Sequence, residues 1–195
     1  MHSYRENEMN LVFCALLNLF LISGHSQSSH PSPCTEVKIV NNVVDWGQRR
    51  VDHPRRIEAI IIHSSYNALG PDSFSVKGIL REYKEAGVSP HYIIDRAGTI
   101  YRLVPDKNIA YQAGKSRLPD GKTDVNSVSI GIEIVNTIHD SPTEQQYVSL
   151  AKLVRCLEGK YPVRYVLGHK DIAPGRKTDP WNFDWAKFHA MLGER

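Results

Sequence analysis

The chain has 195 residues, of which 41% are hydrophobic and 23% are charged, and its formal net charge is +3 at pH 7. These proportions are typical of one globular domain and exclude a largely disordered protein or a coiled coil. The charge is too small, and the Lys and Arg residues too dispersed, to indicate a nucleic-acid-binding surface. Three cysteines are too few for a disulfide scaffold and lack the paired spacing of a structural zinc site. Composition therefore leaves an enzyme or a binding domain.

The first 26 residues differ in character from the rest of the chain. An apolar run over residues 11–23 is interrupted only by Asn18, and it is shorter than the about 20 residues that cross a bilayer. The run and the small residues that follow it are typical of a secretory signal peptide, so we interpret residues 1–26 as one. A secreted or periplasmic protein without a stable membrane span is then expected. The alternative is a buried N-terminal helix.

Residues 27–42 are predicted to be a linker that leads into a domain over residues 43–195, because residues 27–35 are polar and rich in Pro and Ser. Removal of a signal peptide would leave Cys34 and Cys156 as the remaining cysteines. Export permits a disulfide between them, but two separate thiols fit the sequence equally well.

Within the domain, segments typical of strands alternate with segments typical of helices. The predicted elements, in chain order, are a strand over residues 58–62, a helix over 74–86 that ends at Gly87, a hairpin of strands over 91–94 and 99–104, a strand over 128–135, a helix over 143–157, a strand over 164–167 and a helix over 184–192. This order predicts an α/β (α+β) fold with a single mixed β-sheet flanked by helices.

Three places in these elements carry side chains suited to chemistry. His63 follows the apolar strand and could enter a cleft, although a hydrogen-bonded core histidine is the alternative. In the strand over 128–135, Glu133 shares a face with the small residues Ser129 and Gly131, although a solvent-facing carboxylate would show the same pattern. Residues 168–180 contain His, Lys and Asp together with Pro174, Gly175 and Pro180, so they are predicted to be a loop, which could also be an ordinary charged surface loop. Two imidazoles and one carboxylate would give zinc three ligands and leave a fourth position for water.

The segment over residues 168–180 closely resembles the last motif of the zinc-dependent N-acetylmuramoyl-L-alanine amidases, the type 2 amidase family. That family shares its fold with phage lysozyme-type amidases and animal peptidoglycan recognition proteins. Four further stretches agree with the family in order and spacing, namely residues 60–65, 88–101, 113–116 and 126–136. The resemblance extends over about residues 43–192.

The resemblance implies His63, His169 and Asp179 as ligands of Zn²⁺, Glu133 as the catalytic carboxylate and Lys177 as the cation of the last motif. Glu133 would take a proton from the attacking water, and Lys177 would stabilise the developing oxyanion. The implied substrate is peptidoglycan or a muropeptide, cut between N-acetylmuramic acid and L-alanine. A monomer without a nucleic-acid partner is expected.

The chain departs from the family near the predicted cleft. Tyr111 and Gln112 stand where family members often carry Trp-His, and Pro90 stands where phage-type relatives have a catalytic Tyr. Activity would therefore depend on Glu133. The residues predicted to contact substrate are Tyr66, Asn67 and Gln112, and for the first two a simple loop is an equally good interpretation.

The leading hypothesis is a secreted zinc amidase of peptidoglycan. The alternative is a recognition module that binds a muropeptide without cutting it, but such proteins usually lose a metal ligand, and all three ligand positions are present in this chain. A zinc hydrolase of some other amide would have the same ligands.

Overall fold

The structure is a computed structural model that describes residues 34–193. Its strands and helices are β1 (Ile39–Asn41), β2 (Gln48–Arg49), β3 (Ala59–Ser65), α1 (Val76–Ala86), β4 (Tyr92–Ile94), β5 (Ile100–Arg102), β6 (Ile109–Ala110), α2 (Val125–Val128), β7 (Ser129–Val135), α3 (Glu144–Lys160), β8 (Tyr165–Gly168), α4 (His169–Ile172) and α5 (Trp185–Leu192).

Six of the strands form one mixed sheet in the order β1-β5-β4-β7-β3-β8. Every neighbouring pair in it is parallel except β4 and β5, which are the antiparallel hairpin predicted from the sequence. Strands β2 and β6 form a separate antiparallel pair. The predicted mixed sheet flanked by helices is confirmed, with this small second sheet as an addition.

The central strands β3 and β7 are buried on both faces, as parallel strands covered by other elements must be. Alternate residues of the two strands point to opposite sides of the sheet. One set packs against α3 and α5 in the largest apolar cluster and includes Ile60, Ile62 and Ile132. On the opposite face, Ala59 and Ile61 join a smaller apolar cluster that ends where the polar residues of the predicted site begin.

The two longer helices lie close to their predicted bounds, although α1 begins at Val76 and not at residue 74, and α3 continues to Lys160 and not to residue 157. Helix α1 begins after Ser75, whose side chain accepts a hydrogen bond from the amide of Gly78, and ends at Gly87, which has a left-handed φ of 65°. Helix α3 begins with a capping box in which Thr143 and Gln146 each satisfy the other's backbone amide. The caps fix where the helices begin, and apolar side chains of α3 pack it against the sheet.

The N-terminal boundary of the domain differs from the prediction. Strand β1, at residues 39–41, lies inside the predicted linker over residues 27–42, yet it pairs in parallel with β5. It was missed because three residues carry too little periodicity to distinguish a strand from a linker. A disulfide joins Cys34 to Cys156 of α3, which resolves the alternative between a bridge and two thiols. The predicted signal peptide lies outside the described residues.

One further difference concerns a short element. The predicted loop over residues 168–180 begins with the helical turn α4, in which the side chain of Asp171 accepts a hydrogen bond from the amide of Gly168 at 2.8 Å. A turn of four residues has no sequence period by which it could be predicted. Over residues 34–193, no helix has the length and apolarity that a membrane span requires.

Candidate metal centre and cleft

The site lies at the carboxyl ends of the central parallel strands, the usual position for a ligand in an open α/β sheet. Strands β3 and β7 pair in a register that sets His63 directly opposite Glu133. On the other side of β3, Ile62 pairs with Gly168, the last residue of β8, so that His169 follows at the same edge. Strand pairing therefore brings together residues that are 106 positions apart in the chain.

Three buried side chains converge at this edge, and they are the three predicted metal ligands. The Nδ1 atoms of His63 and His169 are 3.0 Å apart. The Oδ2 atom of Asp179 lies 3.5 Å from the first and 3.2 Å from the second. Ligands bound to zinc at about 2.0–2.1 Å in a tetrahedron are separated by similar distances. The two imidazoles and the carboxylate therefore fit the donor set and the spacing of a zinc site.

The electrostatics of the three side chains also fit a cation. Burial lowers the pKa of His63, and this favours the neutral imidazole that can bind a metal. Burial alone would raise the pKa of Asp179, but its interactions with His169 and His63 outweigh the effect of burial and hold that pKa well below its usual value. The carboxylate is therefore charged at neutral pH, and the donor set carries one negative charge.

The far side of each imidazole meets an oxygen from the segment that follows β6. The Nε2 atom of His63 contacts Oε1 of Gln112 at 2.5 Å, and Nε2 of His169 contacts the carbonyl of Ala113 at 3.2 Å. The structure thus brings Gln112, which was predicted to bind substrate, against a metal ligand. Its contact with substrate stays a prediction.

Glu133 lies beside the metal ligands and is only partly hydrogen-bonded. Its Oε2 atom is buried and has no hydrogen-bond partner among the described residues. Burial and the negative charge of Asp179 raise the pKa of Glu133 to about 8, although Ser65, Tyr83 and Lys177 pull it down. A carboxyl group with a pKa near neutrality can both accept and return a proton, which suits general acid–base catalysis.

The metal ligands and Glu133 line a cleft of about 370 Å³. Lys177 lies in its exposed rim, and Gln112 forms part of its wall. Tyr66 lies outside this group of lining residues, with its ring 5.9 Å from that of Trp181, which does line the cleft.

Asn67 is not among the described residues that line the cleft. Its side chain is buried in its own loop, where it donates a hydrogen bond to the carbonyl of Asp72 at 2.7 Å. It also packs against Gly70 and Gly78, at both of which an added Cβ would collide with it. This placement agrees with the alternative of a simple loop residue.

Two cleft residues beside Glu133 were not identified from the sequence. Ser65 and Tyr83 share a hydroxyl–hydroxyl hydrogen bond, and both lie beside Glu133 in the cleft. The spacing of Tyr83, four residues after Ile79, is that of the apolar face of a helix and so predicts a packed ring. A tyrosine hydroxyl usually needs a polar partner when its ring is packed, and this was the one signal that could have pointed to a polar role.

Comparison with known proteins agrees with this geometry. Residues 53–182 match a family model described as N-acetylmuramoyl-L-alanine amidase. The 1,6-anhydro-N-acetylmuramyl-L-alanine amidase AmpD of Escherichia coli is 42% identical over 110 residues, which cover 55% of this chain and 60% of AmpD. This chain therefore matches about three fifths of that relative's length.

Solved structures extend the comparison to the fold. A selenomethionine derivative of AmpD superposes with a TM-score of 0.68 at 29% identity, and the match covers 81% of this chain and 95% of AmpD. The amidase AmiD of E. coli, solved with anhydro-N-acetylmuramic acid-L-Ala-D-γ-Glu-L-Lys, has a TM-score of 0.61 at 26% identity over 73% of this chain and 60% of AmiD. The amidase fold implied by the sequence motifs is confirmed.

The predicted secreted or periplasmic location is wrong by the same comparison. The AmpD relatives are cytoplasmic enzymes. The prediction depended on a short apolar run in residues 11–23, which lies outside the described residues.

Proposed function

The chain belongs to the N-acetylmuramoyl-L-alanine amidase family, and we propose that it is a zinc-dependent hydrolase of muropeptides. The bond cut is the amide between the lactyl group of N-acetylmuramic acid and L-alanine. The 1,6-anhydro-muropeptides are the first substrates to test, because the AmpD relatives are named for them and AmiD was solved with one.

The observation that carries this proposal is the cluster of His63, His169 and Asp179 with Glu133 beside it in one cleft. The three ligand atoms lie within 4.8 Å of one another. The set of two imidazoles and one carboxylate is that of a catalytic zinc site, which keeps one position open, whereas structural zinc sites use four protein ligands.

When bound, zinc would lower the pKa of a coordinated water toward 7 and polarise the scissile carbonyl. Glu133 then accepts a proton from the attacking water at its carboxylate and returns it to the nitrogen of the departing L-alanine. Its position opposite His63 in the register places it beside the metal ligands, within reach of both transfers. Ser65 and Tyr83 hold the carboxyl group from the side of α1.

Lys177 supplies positive charge at the rim of the cleft. Its ammonium group acts electrostatically on Glu133 and lines the same cavity. A cation placed where the carbonyl oxygen gains negative charge lowers the barrier of acyl transfer. Lys177 is therefore assigned to stabilisation of the oxyanion, and Glu133 is assigned to the proton transfers.

A muropeptide-binding module without activity is the alternative function. In a binding module, neither a complete set of metal ligands nor a carboxyl group with a pKa near neutrality would be needed beside the ligand. Both are present in this chain, so hydrolysis is the better account.

The test is incubation of the full chain with an anhydro-muropeptide, with and without a chelator, followed by mass spectrometry. Release of the free stem peptide that stops with the chelator and returns with added Zn²⁺ is the expected result. Binding without release would show a recognition module. Neither binding nor release, together with chelator-sensitive cleavage of other N-acyl amino acids, would show an amide hydrolase with a different substrate.

A further inference from the structure

The two histidines of the candidate zinc site are oriented by consecutive residues of one segment. His63 directs Nε2 to the side-chain oxygen of Gln112, and His169 directs Nε2 to the backbone carbonyl of Ala113. For His63 the contact at Nε2 is the shorter one, 2.5 Å to Oε1 of Gln112 against 3.5 Å from Nδ1 to Oδ2 of Asp179, so Nε2 carries the proton in the neutral ring. The Nδ1 atom of His63 is then left without a proton, and it faces Nδ1 of His169 and the carboxylate of Asp179.

The segment that supplies these acceptors is itself held in place. The Oδ1 atom of Asn126 accepts hydrogen bonds from the backbone amides of Gln112 at 3.1 Å and Ala113 at 2.8 Å. Because one oxygen holds both amides, the two acceptors are placed as a unit relative to β3 and α4.

The side chain of Gln112 is also held in one orientation. Its Nε2 donates to Oγ of Ser129 at 2.9 Å, and that hydroxyl donates to the carbonyl of Val125 at 2.6 Å. Because the Ser129 proton is used on Val125, the hydroxyl can only accept from Gln112. This direction fixes the amide so that Oε1, and not the NH₂ group, faces His63.

The backbone of β7 next to Gln112 leaves space for the Gln112 side chain, because residue 131 is a glycine. A Cβ added at Gly131 would lie 2.6 Å from Cγ of Gln112, so any larger residue in the middle of β7 would displace the amide. The absence of a side chain at Gly131 is therefore part of the same arrangement.

We propose that Gln112 is a positioning residue for the metal: it acts through His63 by keeping the proton on Nε2 and presenting Nδ1 to the ion. The proposal rests on the zinc site of the proposed function. Gln112 stands where family members often carry His. The proposal gives Gln112 a role beside a metal ligand, with an amide oxygen in place of a ring nitrogen. Unlike a ring nitrogen, the amide oxygen does not take up a proton.

The tests use three variants of the full chain. Gln112→Met removes the acceptor and keeps the length of the side chain, whereas Gln112→Glu keeps an acceptor oxygen at the same place. Gln145→Met is the same Gln-to-Met substitution at an exposed position of α3, and it serves as the matched control.

The first measurement is the tautomer of His63 in the metal-free protein, from long-range ¹H–¹⁵N NMR correlations of the imidazole rings. Wild type, Gln112→Glu and Gln145→Met are expected to show the Nε2–H form, and Gln112→Met a mixture of both forms. The second measurement is Zn²⁺ affinity by competition with a chromophoric chelator, where Gln112→Met should lose about 10- to 100-fold and the other two variants little.

An unchanged tautomer and unchanged Zn²⁺ affinity in Gln112→Met would overturn the proposal. If Gln112→Met does not fold, Ser129→Ala, which releases the Gln112 amide, should show the same two changes to a smaller degree, and their absence there would overturn it equally. Neither measurement uses a muropeptide. Failure of wild type to release stem peptide while these changes occur would therefore count against the proposed function and not against the role of Gln112.

Discussion

The two faces of the β3–β7 pair belong to the same strands but differ in role, because one forms the apolar core and the other carries the candidate site. One face carries Ile60, Ile62, Ile130 and Ile132, all buried against α3 and α5. The other carries His63 and, opposite it, Glu133. The apolar face needs only side chains of suitable size and period. The polar face needs each atom at a definite position, and its partners come from β8, α4 and the segment over residues 112–113.

This difference implies that stability and chemistry can be separated by substitutions at adjacent residues. A change on the apolar face should reduce the free energy of unfolding and leave the site intact in the molecules that remain folded. A change on the polar face should remove metal binding or turnover at little cost in stability, because buried polar groups contribute less than packed apolar ones.

The largest effect is expected from Glu133→Gln, which keeps the shape of the side chain but cannot exchange a proton. Turnover of an anhydro-muropeptide should fall by about 10²- to 10⁴-fold, while Zn²⁺ affinity and the midpoint of urea unfolding stay close to wild type. Glu85→Gln, on the exposed side of α1, is the control. Turnover retained by Glu133→Gln would show that this carboxyl group does not handle the protons.

The neighbouring substitution on the apolar face, Ile132→Ala, should lower the free energy of unfolding by about 2–5 kcal/mol, because it leaves a cavity among side chains that cannot close around it. Urea denaturation measures the loss. Ile138→Ala removes the same atoms from a side chain that is 49% exposed and should change stability little. A similar loss in both variants would contradict the assignment of Ile132 to the packed face.

Bound zinc should raise the free energy of unfolding, and this effect should require the predicted metal ligands. At a free concentration of about 100 times the dissociation constant, bound Zn²⁺ should add about 2.7 kcal/mol to the free energy of unfolding, and a chelator should remove this gain. His169→Ala should abolish the response, whereas His139→Ala, at an exposed position, should keep it. Equal responses in the two variants would place the metal elsewhere.

The smallest effect is expected at a polar group on the helix-packed side. Asp106 accepts hydrogen bonds from Tyr92, from Lys160 at 2.9 Å and from Tyr161 at 2.9 Å. Burial opposes ionisation, but these donors outweigh it and lower the pKa of Asp106 below its ordinary value of 3.8. Its stabilisation is therefore present above the unfolded-state pKa and lost as the pH falls through the lower folded-state pKa.

Asp106→Asn should accordingly cost about 1–3 kcal/mol at pH 7 and flatten the fall in stability below pH 4. Urea titrations at several pH values measure both changes. Asp45→Asn, at an exposed position, is the control. A pH profile of Asp106→Asn that matches wild type would show that this network does not contribute to acid unfolding.

Local pattern predicted much of the fold. The isoleucine run before His63 and the strict alternation around Glu133 identified β3 and β7, and Gly87 and Thr143 marked the ends of helices. Elements of two to four residues, such as β1 and α4, were missed because they contain too few residues to show a period. They are stabilised mainly by contacts with distant parts of the chain.

For the site, the sequence by itself determined which residue types are present, and its motifs predict which of them act together: His63, Glu133, His169, Lys177 and Asp179. It also determined that Glu133 faces away from the apolar core, since a strand has a period of two. The cluster of ligand atoms within 4.8 Å arises only when β8 pairs with β3. The tertiary structure alone decided that Gln112 meets His63, because hydrogen-bond partners brought together by folding leave no period in the sequence.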